Sequence, residues 1–136
     1  MIPALLASTL VFLGGLHVYW ALGGRWGKAA AIPQVGGQPA FTPSRLMTLL
    51  VALALFGAAF IAVIRGYFLL SSFPGSPAHW TCIALGLLFL LRAIGEFRLV
   101  GFFKRVRGTP FATLDTRLFS PLSLLIAIGF LYIATT

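Results

Sequence analysis

Acidic residues are almost missing from this chain: 2 Asp and Glu stand against 10 Lys and Arg in 136 residues. Charged residues of either sign make up 9% of the sequence, where a soluble domain carries about a quarter. A soluble fold of this length would lack its polar shell. Cysteine occurs once, as Cys82, which excludes an intrachain disulfide and leaves the thiol no second cysteine for a metal site. A phosphate-binding glycine loop, a haem-attachment sequence and a nucleophile elbow are also lacking, and no metal is expected. The pairs Gly23-Gly24 and Gly36-Gly37 stand outside the strand–turn–helix setting that such glycine motifs need. Met1 to Thr9 contains no Lys or Arg. A signal peptide wants a basic segment before a shorter apolar core, so the first run reads as a retained helix.

What the chain has in quantity is apolar sequence. Hydrophobic residues make up 60% of it, and the mean hydropathy is +1.02. A spanning helix needs roughly 20 mostly apolar residues. Four runs qualify, at about 2–22, 46–70, 80–103 and 118–134, separated by segments rich in Gly, Pro and polar residues. The expectation is an all-α polytopic membrane protein, a four-transmembrane-helix bundle forming a single transmembrane domain over 1–136. Arg65 either ends the second helix or sits inside it. The net charge of +8 is gathered in two short segments between apolar runs. A nucleic-acid surface needs basic residues on one broad solvated face, so no nucleic acid is expected as a partner.

Those two basic segments orient the chain. Arg25, Lys28 and Arg45 flank the first connection, and Arg98, Lys104, Arg105, Arg107 and Arg117 the third; the second has none. Cytoplasmic loops are enriched in Lys and Arg. The first and third connections are therefore expected inside and both termini on the non-cytoplasmic side. Tyr19, Trp20, Phe102 and Phe103 then fall near the inner boundary, with Tyr67, Trp80 and Tyr132 near the outer one.

Small residues mark helix contacts in a bilayer. Ala54, Ala58, Ala62 and Gly66 recur every fourth position of the second run, and Arg65 projects from roughly the same face. In the third run, Glu96 follows Arg92 by one turn. A lone Arg deep in a bilayer costs at least about 2.5–3.5 kcal/mol. The simplest reading is therefore an Arg92–Glu96 pair facing the bundle interior. His17, Trp20, Arg92, Glu96, Arg98 and Asp115 all belong to the inner half or its loops and form a candidate polar cluster. Their bland roles are concrete: His17 bonds a backbone carbonyl, and Asp115 caps the fourth helix or pairs with Arg117. His79 reads as an interfacial side chain. Lys104, Arg105 and Arg107 sit where each cation gains about 1 kcal/mol against an anionic leaflet, so they are assigned to lipid headgroups.

Two stretches resemble a known family. One is His17-Val18-Tyr19-Trp20-Ala21-Leu22-Gly23-Gly24-Arg25-Trp26-Gly27. The other runs from Arg92 through Gly95-Glu96-Phe97-Arg98, Gly101-Phe102-Phe103-Lys104-Arg105 and Thr109-Pro110-Phe111-Ala112 to Asp115-Thr116-Arg117 and Ser120-Pro121. They are similar to the bacterial small membrane proteins catalogued as domain of unknown function 3995, over nearly the whole chain. In that family an aspartate often stands where this chain has Glu96. The resemblance implies a four-helix protein of the bacterial cytoplasmic membrane and groups His17, Trp20, Arg92, Glu96 and Asp115. It implies no activity and no cofactor.

Three functional classes follow. The first is a non-catalytic accessory or lipid-interacting membrane protein, with the anionic headgroups of the cytoplasmic leaflet as partner and a homo-oligomer or membrane-protein partner besides. The second is a small proton-coupled transporter using Glu96 and His17. The third is a membrane enzyme on a lipid-soluble substrate, with His17 and Glu96 or Asp115 as acid and base.

Overall fold

In the computed structural model, which describes residues 1–68 and 73–136, each apolar run becomes a helix whose ends are set by local chemistry. Helix α1 spans Ile2–Ala21, with Pro3 in the first turn, where a missing N–H goes unnoticed. Helix α3, Arg45–Tyr67, starts at Ser44, whose hydroxyl accepts from the Met47 N–H at 3.1 Å. Helix α4, Pro77–Ile94, repeats the device: Ser76 accepts from the His79 N–H at 3.2 Å. The last helix begins as α5, Pro110–Leu114, capped by Thr109, whose hydroxyl accepts from the Ala112 N–H at 3.0 Å. It continues through a π-helical turn, Asp115–Phe119, into α6, Ser120–Thr135. Between α1 and α3 lie a short helix α2, Lys28–Ala31, and a hairpin of β1, Gln34–Val35, with β2, Gln38–Pro39. Gly36 and Gly37, both at positive φ, form its two-residue turn.

Two expected boundaries move far. The third helix stops at Ile94 rather than near 103, because Gly95 takes φ +86° and the chain doubles back. The apolar residues after it form a loop, in which the Phe102 N–H donates to the Ala93 carbonyl at 2.8 Å. The fourth helix starts at Pro110 rather than 118, since Thr109-Pro110 is an N-cap followed by a favoured first residue. Arg65 lies inside α3, in its last turn. Residues 69 and 70 of the expected second run lie outside the described residues.

Helix α1 packs chiefly along α3, and α4 along α6. A side chain at Gly66 would strike Pro3, so α1 and α3 run antiparallel at close range. One end of the bundle, here the terminal end, holds Met1, Phe68, Ser76 and Thr136. The other, the basic end, holds the 22–44 and 95–109 connections. The buried cluster of Leu6, Leu10, Ala58, Ala62, Phe130 and Ile133 fills the half nearer the terminal end. Ala58 and Ala62 of the expected stripe are buried there. Ala54 is exposed instead, and Ala52 and Ala59 are buried beside the stripe.

Large apolar side chains cover the outside. Leu46, Leu53 and Phe60 on α3, Leu88 and Leu91 on α4, and Leu125 and Ile128 on α6 are each more than half exposed. Water would oppose such a surface, whereas hydrocarbon matches it, and helices satisfy their own backbone there. Among the described residues four helices are long and apolar enough to cross a membrane, including the 26-residue helix Pro110–Thr135. This is a multi-pass membrane protein.

Candidate functional site: an ion cluster and a cleft at the basic end

Asp115 is fully buried, and its carboxylate is surrounded by donors. Arg92 Nη2 donates to Oδ1 at 2.7 Å. Oδ2 accepts from Lys104 Nζ at 3.0 Å, from the Gly101 N–H at 2.8 Å and from Ser120 Oγ at 3.1 Å. Lys104, itself 2% exposed, also donates to the Gly101 carbonyl at 2.9 Å and to Thr116 Oγ1 at 2.6 Å. A carboxylate taken out of water is tolerated only when its lone pairs are filled in this way.

The loop after α4 is shaped to reach that carboxylate. Gly95 and Gly101, at φ +86° and +91°, bring two stretches of backbone into contact. A Cβ on Gly95 would fall on the Val100 carbonyl, and one on Gly101 on that of Ile94. Only glycine fits either place. Within the loop the Glu96 carboxylate accepts from the Leu99 N–H and, at 3.1 Å, from the Val100 N–H. Glu96 is exposed and ties the loop to itself. The expected Arg92–Glu96 pair is therefore replaced by Arg92–Asp115. The reason is that α4 ends before Glu96, so the two side chains never share a helical face.

Beside the cluster lies a cleft of about 350 Å³ between α1, α3, α4 and the last helix, lined by His17, Trp20, Arg92 and Ser123 among apolar side chains. His17 Nδ1 faces the Leu13 carbonyl at 2.7 Å, an ordinary helix contact, and its ring meets Trp20 edge-on at 5.1 Å. Trp20 Nε1 donates to the Trp26 carbonyl at 2.8 Å, which ties the first connection to α1. Arg92 Nη1 is buried and has no hydrogen-bond partner.

A model of the family described as protein of unknown function (DUF3995) matches residues 10–130. The chain belongs to that family. No curated protein and no solved structure matches it. In this DUF3995 chain, the run from Arg92 to Pro121 that carries the resemblance is the run that builds the ion cluster and its glycine loop.

The candidate residues divide accordingly. Arg92 and Asp115 meet, and His17, Trp20 and Arg92 share the cleft. Glu96 and Arg98 do not join them: Arg98 is exposed and offers only its carbonyl, to the N–H groups of Arg105 and Val106. Asp115 pairs with neither Arg117 nor the end of a helix. Lys104 leaves the headgroup set, because the loop reversal carries its side chain inward. Arg105 and Arg107 stay exposed. Lys104, Gly101, Thr116 and Ser120 are the partners that sequence reasoning missed. The one available signal was that all four lie in the run from Arg92 to Pro121 that carries the family resemblance.

A second polar arrangement closes the terminal end. Arg65 Nε and Nη2 donate to the carbonyls of Ile133 and Ala134, each at 2.9 Å, and His79 Nδ1 faces the Ala134 carbonyl at 2.9 Å. His79 thus meets the last turn of α6. A cation at a helix C-terminus also meets the negative end of the helix dipole.

Proposed function

We propose that this chain is a non-catalytic, lipid-interacting protein of the bacterial cytoplasmic membrane, held with its basic end against the anionic cytoplasmic leaflet. The observation that carries this reading is the fate of the two acids. Asp115 is enclosed by its own cations, and Glu96 is occupied by backbone amides. The exposed Arg25, Arg45, Arg98, Arg105, Arg107 and Arg117 are thereby left without acidic neighbours at one end of the bundle. Each cation near an anionic surface contributes about 1 kcal/mol and is screened by salt. The same two engagements weigh against the carrier and enzyme readings, which need Glu96 or Asp115 free to exchange protons near His17.

The test is lipid selectivity measured by spin-label spectroscopy in mixed phosphatidylglycerol and phosphatidylcholine bilayers. Phosphatidylglycerol is expected to be preferred at the protein boundary, with the preference reduced by Arg105→Gln plus Arg107→Gln and by high salt. Equal boundary occupancy of the two lipids would refute the reading. Orientation is checked separately on a Cys82→Ala background: Ser76→Cys should label from outside and Arg107→Cys from the cytoplasm, and the reverse overturns it.

A further inference from the structure

The ion cluster carries an uncompensated charge. Arg92 and Lys104 bring two positive charges to the single carboxylate of Asp115. Lys104 is fully engaged, by the carboxylate, the Gly101 carbonyl and the Thr116 hydroxyl. Arg92 is not: Nη2 holds Asp115, while the buried Nη1 has no partner. A buried donor left in this state is unfavourable, more so on a charged group.

The rest of the Arg92 side chain is about a third accessible and lines a cleft. The cleft of about 350 Å³ that Arg92 lines is walled by Leu13, Leu16, Trp20, Ala31, Phe119 and Leu122. Those six residues also line a second, apolar cleft of about 490 Å³ between α1, α2 and the last helix. Phe12 and Leu118 at its rim are 63% and 51% exposed, on the surface that faces lipid. The shared residues place the two clefts side by side, Arg92 lining the first and apolar side chains the mouth of the second, the two parts an amphiphile needs.

We infer that the paired clefts bind one acyl-chain lipid with a singly charged oxyanion head, phosphodiester or carboxylate. A small turn of the Arg92 guanidinium offers the unpartnered Nη1 to the head beside His17, and the tail lies against Leu16, Phe119 and Leu122. A monoanion brings the net charge of the cluster to zero, and a guanidinium whose second nitrogen is free is suited to an oxyanion. This site rests on the membrane placement of the chain but not on the exposed arginines, and the two can fail separately.

The experiment is native mass spectrometry of the detergent-solubilised full chain, titrated in turn with phosphatidylglycerol, oleate, phosphatidylcholine and inorganic phosphate. One tightly retained phosphatidylglycerol or oleate is expected, and which of them is held identifies the head. Arg92→Gln should weaken retention about tenfold or more. Because Arg92→Gln also disturbs Asp115, Ala31→Trp carries the test independently: it fills the wall shared by both clefts and lies on α2, outside the ion cluster. It should also lose the lipid. Arg105→Gln plus Arg107→Gln should retain it, even if boundary selectivity falls. Equal retention of phosphatidylcholine, retention of phosphate alone, or unchanged retention in Ala31→Trp would each overturn the proposal.

Discussion

Arg65 and Arg92 each stand in the last turn of a spanning helix, yet the two ends of the bundle treat them differently. Arg65 is 5% exposed and is held by neutral carbonyls of α6. Around it Ala58, Ala59, Ala62 and Ala134 let the helices close. Arg92 keeps about a third of its side chain accessible, lines a cleft, is held by a carboxylate, and has a buried nitrogen left over. There the facing side chains are Leu13, Leu55, Phe89 and Phe119, whose bulk holds the helices apart. The lesson is that small residues decide which buried cation becomes a fastening and which becomes a site. Close backbone approach supplies carbonyls to the first, whereas separation leaves the second partly unmet.

The contrast can be broken most severely at Asp115. Asp115→Ala leaves Arg92 and Lys104 facing each other without an anion, a loss of about 3–5 kcal/mol. Denaturant unfolding in detergent should show it, and a change below about 1 kcal/mol would mean that the cluster is not a fastening. At the terminal end Arg65→Leu removes charge-assisted bonds and should cost about 1.5–3 kcal/mol while leaving lipid retention intact. Lost lipid with Arg65→Leu would mean that the two ends are not independent.

Gly101→Ala comes next, at about 1–3 kcal/mol, because its Cβ meets backbone that cannot step aside. Its thermal midpoint should fall well below that of Gly57→Ala, where nothing lies within 4 Å of the added carbon and the backbone is helical. Arg92→Lys sharpens the comparison without breaking it. The ammonium keeps the pair with Asp115, so stability should shift by less than about 1 kcal/mol. It lacks the second donor nitrogen of the guanidinium, so anionic-lipid retention should drop. Glu96→Gln is the smallest change, within about 0.5–1 kcal/mol, since an amide oxygen still accepts from Leu99 and Val100. Proton flux across vesicles should not differ between Glu96→Gln and the parent chain. A flux abolished by this substitution would restore the carrier reading.

Several of these residues were legible in the sequence and others were not, for identifiable reasons. His17 bonding a backbone carbonyl was readable, because a histidine inside a helix finds the carbonyl one turn back at Leu13. The burial of Arg65 was readable from its spacing to Ala58 and Ala62. The Arg92–Glu96 pair was misread because helical spacing applies only while the helix continues, and Gly95 ends it. Lys104 was misread for the same reason: in a linear sequence it belongs to a basic run with Arg105 and Arg107, and nothing local says that the backbone turns one of the three inward.

The sequence by itself determined the membrane class, the four crossings and the family. Those depend on run length, hydropathy and contiguous motif, which are properties of neighbouring residues along the chain. Only the tertiary structure decided which cations serve Asp115 and where a cleft remains. Arg92 and Lys104 reach that carboxylate across 23 and 11 residues of sequence. A contact at such separation is set by the path of the backbone through Gly95 and Gly101 and by the size of the side chains between helices.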